Sequence, residues 1–307
     1  MTPRRAANRY PRFPASLPRT RFAPAPTGYL HLGHVANALF VWGVARARRA
    51  EVLLRIEDHD RQRCRAEYEA ALLEDLAWLG FEPDIPAGSG RLFRQSDVPE
   101  RYLGAVEQLQ GAGHLVYACD CSRKDLTEAT GDTPDRETPY PGRCRDRGLE
   151  PGPGRGLRLA IDPGEERFTD LLLGPQRQEP ARQCGDLLLR DRLGNWTYQF
   201  AVVVDDLVQG VDLVIRGADL LESTGRQIRL ARMLGPAEPP AFLHHPLIRR
   251  PGGEKLSKAG GDTAVRELRL GGATPEDLFG TVLAGLGVLP GPRAVSLMEA
   301  TGFFLPS

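Results

Sequence analysis

Pro24-Ala-Pro-Thr-Gly-Tyr-Leu-His-Leu-Gly-His34 is a turn of small and polar residues that joins two apolar segments of a 307-residue chain. Residues 20–23 before it predict a short strand, and apolar side chains at helical spacing predict a helix from about 33 to 49. Residues 51–58 form an apolar run bounded by charges, which is typical of a buried parallel strand. Residues 66–79 predict a second amphipathic helix. Strand, helix, strand, helix is the pattern of a doubly wound α/β fold with a parallel sheet.

In such folds, ligands bind at the carboxyl ends of the strands, where this chain places polar side chains. His31 and His34 follow the first predicted strand, and Glu57 and Asp58 close the second. Gly33 lets a ligand approach the backbone closely, and the N-terminus of the following helix favours a phosphate group. The sequence therefore predicts a phosphate-binding turn. An ordinary structural turn is the alternative.

A lysine pair lies far downstream, in Lys255-Leu-Ser-Lys258. The chain has only three lysines, and two of them fall in this tetrapeptide, just after a Pro-Gly-Gly turn. Nearly all other positive charge is arginine, so a retained lysine indicates a need for a compact ammonium group on a flexible stem. A solvated turn is the alternative for this segment taken alone.

Length and composition predict a soluble protein of two or three subdomains, with 41% hydrophobic and 26% charged residues. The formal net charge is zero, so any RNA contact must come from a local face, for which the arginines between 136 and 158 are candidates. No apolar run approaches a membrane span, and residues 1–18 lack the apolar core of a secretory signal and predict a disordered extension. Five cysteines, three of them within 26 residues, fit a reducing cytoplasm better than a disulfide framework. A monomer is the default expectation.

The sequence changes character in residues 117–190, which are rich in Pro, Gly, Arg and Cys. This composition predicts an insertion into the nucleotide-binding fold. Cys119, Cys121 and Cys144 could hold a tetrahedral zinc ion together with one further ligand. His114 is one candidate for that ligand. Reduced cysteines without a metal are the alternative.

The strand–helix alternation resumes near Trp196, with the apolar run 198–206 and a further run at 212–217. Asp205 and Asp206, which close the first run, are expected to be structural or solvated. The apolar run 278–289 predicts a helical C-terminal region. The predicted division of the chain is a disordered extension (1–18), a first Rossmann half (19–116), an insertion (117–190), a second Rossmann half with the lysine tetrapeptide (191–262) and a short helical region (263–307).

Four motifs resemble, in order, those of the glutamyl/glutaminyl branch of the class I aminoacyl-tRNA synthetases. They are Arg21-Phe-Ala-Pro-Ala-Pro-Thr-Gly28, Arg55-Ile-Glu-Asp58, Ile215-Arg-Gly-Ala-Asp-Leu-Leu221 and Lys255-Leu-Ser-Lys258. The two-histidine turn resembles the HIGH signature of this class, and the lysine tetrapeptide resembles its KMSKS signature. Small nucleotidyltransferases share the two-histidine turn but are usually much shorter. The resemblance covers roughly residues 19–290 and implies a Rossmann-type domain with an inserted zinc-containing α+β subdomain and a short C-terminal helical cap.

The resemblance also implies that the protein activates an amino acid with ATP, accompanied by Mg²⁺. It implies that His31 and His34 contact the ATP phosphates and that Lys258 clamps the triphosphate in the transition state, with a weaker role for Lys255. The residues implied to bind ATP are Pro24, Gly28, His31, Gly33, His34, Lys255, Ser257 and Lys258. In the short members of the family a tyrosine completes the zinc site, and Tyr140 matches its spacing to Cys119, Cys121 and Cys144.

Glutamate is the amino acid that the resemblance implies, and the residue types suit it, because arginine binds carboxylates as a fork and an acidic side chain can hold an ammonium group. Arg21 and Arg216 are expected to bind carboxylates, Glu57 the α-amino group, and Tyr198 the substrate through its hydroxyl. Which arginine binds which carboxylate stays open. Ala25 stands where the family usually has serine. The residues implied to bind glutamate are Arg21, Phe22, Ala23, Pro24, Ala25, Glu57, Tyr198 and Arg216.

These assignments have plain alternatives. Arg216 could form an ordinary surface ion pair with Asp212 or Asp219. Glu57 and Asp58 could be a charged pair at the end of a strand. A non-catalytic RNA-binding or regulatory module with a decayed site is the alternative for the whole chain.

Only 49 residues follow Lys258, too few for the anticodon-binding region of a complete glutamyl-tRNA synthetase. The short members of the family that this length resembles transfer glutamate to the cyclopentene diol of queuosine in tRNA(Asp). The resemblance therefore implies queuosine-containing tRNA(Asp) as the partner. Other acceptors, such as the 3′ end of a tRNA or a protein amine, remain alternatives.

Overall fold

The structure is a computed structural model that describes residues 18–85, 93–122, 124–126, 139–235, 238–248 and 263–304. Most of the predicted N-terminal extension lies outside the described residues. So do Lys255, Ser257 and Lys258.

Strands and helices alternate along residues 19–111 and again along residues 198–245, as the sequence predicts. The strands are β1 (Arg19–Phe22), β2 (Glu51–Ile56), β3 (Phe93–Arg94), β4 (Val116–Cys119), β5 (Gly156–Leu159), β6 (Glu166–Asp170), β7 (Gly174–Gln178), β8 (Leu187–Arg190), β9 (Leu213–Gly217) and β10 (Ala241–His245). The helices are α1 (Leu32–Arg48), α2 (Ala66–Leu79), α3 (Pro99–Gly111), α4 (Pro180–Gln183), α5 (Tyr198–Gln209), α6 (Thr224–Leu234), α7 (Val265–Leu270), α8 (Pro275–Gly285) and α9 (Leu297–Gly302).

A seven-stranded sheet with the order β3-β2-β1-β9-β10-β6-β7 forms the centre of the molecule. Its first six strands are parallel, and β7 runs antiparallel to β6 at one edge. The chain winds outward from β1 through β2 to β3 and later returns to the other side of β1 with β9 and β10. The strand order therefore reverses between β1 and β9, and such a switch point opens a ligand crevice at the carboxyl ends of the two strands. The predicted doubly wound α/β fold is confirmed.

Helix α1 is buried on several sides because it lies between the sheet and the C-terminal helices. Its residues Val35, Leu39 and Val41 are almost fully buried in the main apolar cluster, together with side chains of α8. Packing of this kind stabilises the domain, and truncating one such leucine to alanine typically costs about 2–5 kcal/mol. Helix α1 is held in a fixed position, and its N-terminus opens on the crevice.

The range 117–190 contributes to two sheets. Strands β4, β5 and β8 form a separate three-stranded antiparallel sheet. The β6–β7 hairpin instead extends the central sheet, because β6 pairs with β10. The predicted domain boundaries stay predictions, but the hairpin belongs to the central sheet by its hydrogen bonds.

The apolar run 198–206 forms part of the helix α5, although its valines favour a strand locally. The helix buries Phe200, Ala201 and Val202 against α3 and α6, and this packing outweighs the weak intrinsic preference of valine. The C-terminal region is helical, as predicted. None of the described helices is long and apolar enough to span a membrane.

Candidate active site

A cavity of about 470 Å³ opens at the carboxyl ends of β1 and β9, at the switch point of the sheet. Its wall is built by the β1–α1 turn, the end of β2, the start of α5 and the segments that follow β9 and β10. The predicted site residues that line it are Arg21, Ala23, Ala25, His31, Gly33, His34, Glu57, Tyr198 and Arg216. Phe22 and Pro24 line an adjoining pocket, and Gly28 lines neither.

The two-histidine turn forms the N-terminus of α1. The Gly33 N–H donates to His31 Nδ1 at 3.1 Å, and the His31 N–H donates to His34 Nδ1 at 3.1 Å. Since both Nδ1 atoms accept, each neutral ring carries its proton on Nε2. A Cβ on residue 33 would lie 2.8 Å from His31 Cε1, so glycine is needed for the His31 ring to fold over the turn. The turn thus offers two oriented N–H donors beside a helix N-terminus, which suits phosphate oxygens.

Oppositely charged side chains form a buried cluster beneath the cavity. Asp206 Oδ1 accepts from Arg21 Nε at 3.2 Å and from Arg55 Nη1 at 2.7 Å. Arg55 also donates through its second terminal nitrogen, Nη2, to Glu57 Oε1 at 2.9 Å. All four side chains are buried. This chain of ion pairs fixes Arg21 relative to Glu57, the residues predicted to hold a carboxylate and the amino group of one substrate.

Burial by itself would raise the pKa of Asp206. The guanidinium groups of Arg21 and Arg55 instead hold the pKa of this carboxyl below its ordinary value. Asp206 therefore stays ionised and keeps both arginines in place. Of the two expectations for Asp206, structural or solvated, the structure favours the structural one, because the carboxylate is buried and paired with arginines from two strands.

Arg216 is buried with 4% of its surface exposed, so the alternative of a surface ion pair with Asp212 or Asp219 is wrong. Its Nε donates to His244 Nε2 at 3.0 Å and its Nη1 to Gln227 Oε1 at 2.7 Å. Its partners are set by neighbouring elements, so they could not be predicted from nearby sequence.

Tyr198 begins α5 and turns its ring toward the cavity between Glu57 and Arg216. Loss of solvation raises the pKa of its phenol. The hydroxyl thus stays protonated at neutral pH and can donate a hydrogen bond to a bound carboxylate.

Several side chains that position the predicted residues were not identified as functional from the sequence. Arg55 belongs to one of the four motifs, and Asp206 ends a conspicuously apolar run, so both carried a weak signal. Gln227 and His244 carried none, because they reach Arg216 only through the folding of α6 and β10.

The three cysteines predicted to bind zinc come together, with their Sγ atoms within 4.8 Å of one another. The Sγ atoms of Cys121 and Cys144 are 3.6 Å apart. Tyr140 Oη lies 3.5 Å from Cys119 Sγ and 3.8 Å from Cys121 Sγ. Sulfur atoms around a tetrahedral zinc ion lie about 3.8 Å apart, given Zn–S bonds of about 2.3 Å. His114 is not part of this group. The four donors therefore fit a tetrahedral zinc site.

Two arginines contact the donors of this group. Arg158 stacks its guanidinium 3.7 Å from the centre of the Tyr140 ring and donates through Nε to Cys119 Sγ at 3.4 Å. Arg147 donates to Cys144 Sγ at 3.4 Å. These guanidinium groups would offset the negative charge of thiolates bound to a metal.

Comparison with known proteins agrees with this geometry. The family model for the catalytic domain of the class I tRNA synthetases (E and Q) matches residues 18–292. The glutamyl-Q tRNA(Asp) synthetase of Nitratidesulfovibrio vulgaris is 39% identical over 291 residues, which cover 90% of this chain and 89% of that protein. The glutamyl-Q tRNA(Asp) synthetase of Rhodobacter capsulatus is 40% identical over 279 residues, which cover 84% of this chain and 97% of that protein.

A solved structure shares the fold. The glutamate tRNA ligase of Elizabethkingia meningosepticum, in complex with its amino acid, matches 94% of this chain with a TM-score of 0.75 and 27% identity. This chain spans 64% of the length of that protein. The match confirms the predicted class I synthetase fold. The chain is thus a ligase of the class I tRNA synthetases (E and Q), and within them it belongs to the glutamyl-Q tRNA(Asp) synthetase family.

Proposed function

We propose that this protein activates L-glutamate with ATP and transfers it to the queuosine cyclopentene diol at the wobble position of tRNA(Asp). The observation that carries this proposal is the single cavity that joins the two-histidine turn to Arg21, Glu57, Tyr198 and Arg216. A phosphate-binding turn on one wall and groups suited to glutamate on the other are what glutamyl-adenylate formation requires.

In the first step, an oxygen of the glutamate α-carboxylate attacks the α-phosphorus of ATP, and pyrophosphate leaves. Positioning and stabilisation of phosphate charge account for most of the catalysis of such transfers. His31 and His34 would donate from Nε2 to phosphate oxygens, because their Nδ1 atoms are already engaged. Mg²⁺ bound with ATP would neutralise part of the phosphate charge. Lys258, with Lys255 and Ser257, is proposed to hold the triphosphate by its match to the family motif.

In the second step, a hydroxyl of the acceptor attacks the carbonyl carbon of the adenylate, and AMP leaves. Queuosine as the acceptor is supported by the names of the curated relatives that cover most of this chain. Exposed arginines in the cysteine-containing region, such as Arg143 and Arg147, could meet RNA phosphates. We further propose that the protein acts as a monomer in a reducing cytoplasm.

We also propose that Cys119, Cys121, Tyr140 and Cys144 hold one structural Zn²⁺. Without a metal, burial and the hydrogen bond with Cys144 raise the pKa of Cys121 to about 11. Zinc would reverse this preference by binding the thiolates, and its binding would release protons. A closed set of four protein donors is typical of structural zinc.

The test measures glutamate-dependent exchange of pyrophosphate with ATP, and transfer of radiolabelled glutamate to purified tRNA(Asp) with and without queuosine. Labelling of the queuosine-containing tRNA alone would support both the amino acid and the acceptor. Labelling of both tRNAs, with sensitivity to removal of the 3′-terminal ribose, would favour the tRNA 3′ end. Absence of exchange would favour a non-catalytic RNA-binding module.

A further inference from the structure

The three buried arginines at the cavity differ in what they touch. Arg21 and Arg55 both contact the carboxylate of Asp206, and Arg55 also contacts Glu57. Arg216 contacts no carboxylate within ion-pair distance in the described part of the chain. Its cation is as buried as the other two, so its neutral surroundings need an explanation.

In the described part of the chain, the groups that accept hydrogen bonds from Arg216 are all neutral. Gln227 Oε1 accepts from Nη1 at 2.7 Å, Thr224 Oγ1 accepts from Nη2 at 2.9 Å, and the Leu220 carbonyl accepts from Nη2 at 3.4 Å. His244 Nε2 accepts from Nε at 3.0 Å. These contacts fix the plane of the guanidinium group without cancelling its charge.

His244 can accept from Arg216 only when its Nε2 carries no proton. Asp170 Oδ2 lies 2.7 Å from His244 Nδ1, so the ring donates there and presents the lone pair of Nε2 to Arg216. Burial and the nearby charge of Arg216 lower the pKa of His244 to about 4, which keeps the ring neutral. The carboxylate of Asp170 lies on the Nδ1 side of this ring, away from Arg216. It accepts hydrogen bonds from the backbone N–H groups of Leu172, Leu173 and His244.

We propose that Gln227 and His244 determine the preference for glutamate over glutamine, by orienting Arg216 through neutral contacts and leaving its charge for the substrate's side-chain carboxylate. The inference rests on the proposed glutamate activation. A glutamate carboxylate satisfies the buried cation. The carboxamide of glutamine leaves it without an anionic partner, and an unpaired buried charge is costly.

Gln227→Glu tests this inference directly, because it adds a carboxylate to Arg216 with almost no change of shape. Gln227 Nε2 now donates to Gln199 Oε1 at 2.8 Å, and Gln199 can accommodate the change by reversing its amide. We expect the KM for glutamate in pyrophosphate exchange to rise about 100-fold, as expected when a buried charge loses its substrate partner. The ratio of kcat/KM for glutamate to that for glutamine should fall at least about tenfold, and the KM for ATP should change less than about threefold.

Two variants separate charge from packing. Gln227→Met removes the hydrogen bond without adding charge, so it should weaken glutamate binding but keep the preference for glutamate over glutamine. Gln199→Glu adds the same charge one residue further from Arg216 and should keep both KM and preference near the wild-type values. Gln199 does not line the cavity, and its hydrogen bonds in the described structure go to Ser223 and Gln227 instead of Arg216, which makes it a matched control.

An unchanged preference in Gln227→Glu, or an equal loss in Gln227→Met or Gln199→Glu, would overturn the inference. If Gln227→Glu fails to fold by circular dichroism, Thr224→Asp makes the same test from the other side of the guanidinium group. Wild-type protein without glutamate-dependent exchange would refute the proposed function itself, and the inference with it.

Discussion

Asp206 is the side chain whose replacement should reveal most about this site. Asp206→Asn keeps the shape of the residue and one accepting oxygen but removes the charge shared by Arg21 and Arg55. Within the described part of the chain, Arg55 would then keep an ion pair with Glu57, and Arg21 would keep none. This one substitution should change both the stability of the protein and the position of Arg21 in the cavity.

The expected loss of stability is large. Removing one partner of a buried ion pair typically costs about 3–5 kcal/mol, because the other charge stays buried without compensation. The asparagine oxygen can still accept one hydrogen bond, so we expect about 3 kcal/mol at pH 7, at the lower end of that range. The KM for glutamate should rise at least about tenfold, because Arg21 loses the contact that orients its guanidinium group.

The loss should depend on pH in a defined direction. The pKa of Asp206 is lower in the folded protein than its ordinary value. Its contribution to stability is therefore fully present above the pKa of the unfolded chain, near 3.9, and is lost as the pH falls through the folded pKa. The stability difference between wild type and Asp206→Asn should be constant from about pH 5 to 8 and shrink below about pH 4.

Urea unfolding at several pH values and pyrophosphate exchange at pH 7 provide the measurements. Asp205→Asn is the matched control, because Asp205 is also buried but contacts Arg101, Gln95 and Tyr102 instead of Arg21. It should lower stability and leave the KM for glutamate near the wild-type value. A stability change under about 1 kcal/mol for Asp206→Asn, or equal effects of both variants on KM, would refute the reasoning.

Three further variants address the rest of the site. Gly33→Ala should lower kcat for pyrophosphate exchange roughly 10- to 100-fold, because the new Cβ displaces the His31 ring, and a normal kcat would count against the proposed role of that ring. Lys258→Ala should abolish exchange while the thermal unfolding curve stays close to that of the wild type; near-normal exchange would mean that the lysine motif is misassigned. Tyr140→Phe should lower the zinc content measured by atomic emission and speed metal loss to a chelator. Unchanged zinc content and stability would remove Tyr140 from the metal site.

The part of the fold that the sequence predicted has a clear physical basis. Segments 20–23 and 51–58 alternate with apolar helical segments, and this alternation predicts a parallel sheet with its polar rim at the carboxyl ends. Local signals failed where packing decided the structure. The valines of 198–206 favour a strand, but burial on several sides makes the segment a helix. The pairing of β6 with β10 joins distant parts of the chain, which no local pattern reveals.

The functional site, like the fold, could be predicted from the sequence only in part. Side chains that belong to motifs, such as His31, Glu57 and Arg216, could be named from the sequence, and the structure brings them to one cavity. Their supporting partners could not be named, because contacts such as that between Arg55 and Asp206 join residues 151 positions apart. Such partners are ordinary residues in the sequence and acquire a role only through the fold.

Arg55 and Arg216 show why charge cannot be judged from sequence neighbours alone at a parallel sheet. Both are arginines on buried strands with acidic residues nearby in the chain. Side chains alternate between the two faces of a strand, so Glu57 shares a face with Arg55 and pairs with it, but other facing residues come from a neighbouring strand or a covering helix. Arg55 meets the carboxylate of Asp206 from α5, whereas Arg216 meets the amide of Gln227 from α6. Helix residues that cover the sheet therefore decide which buried arginine is already neutralised and which one keeps its charge for a substrate.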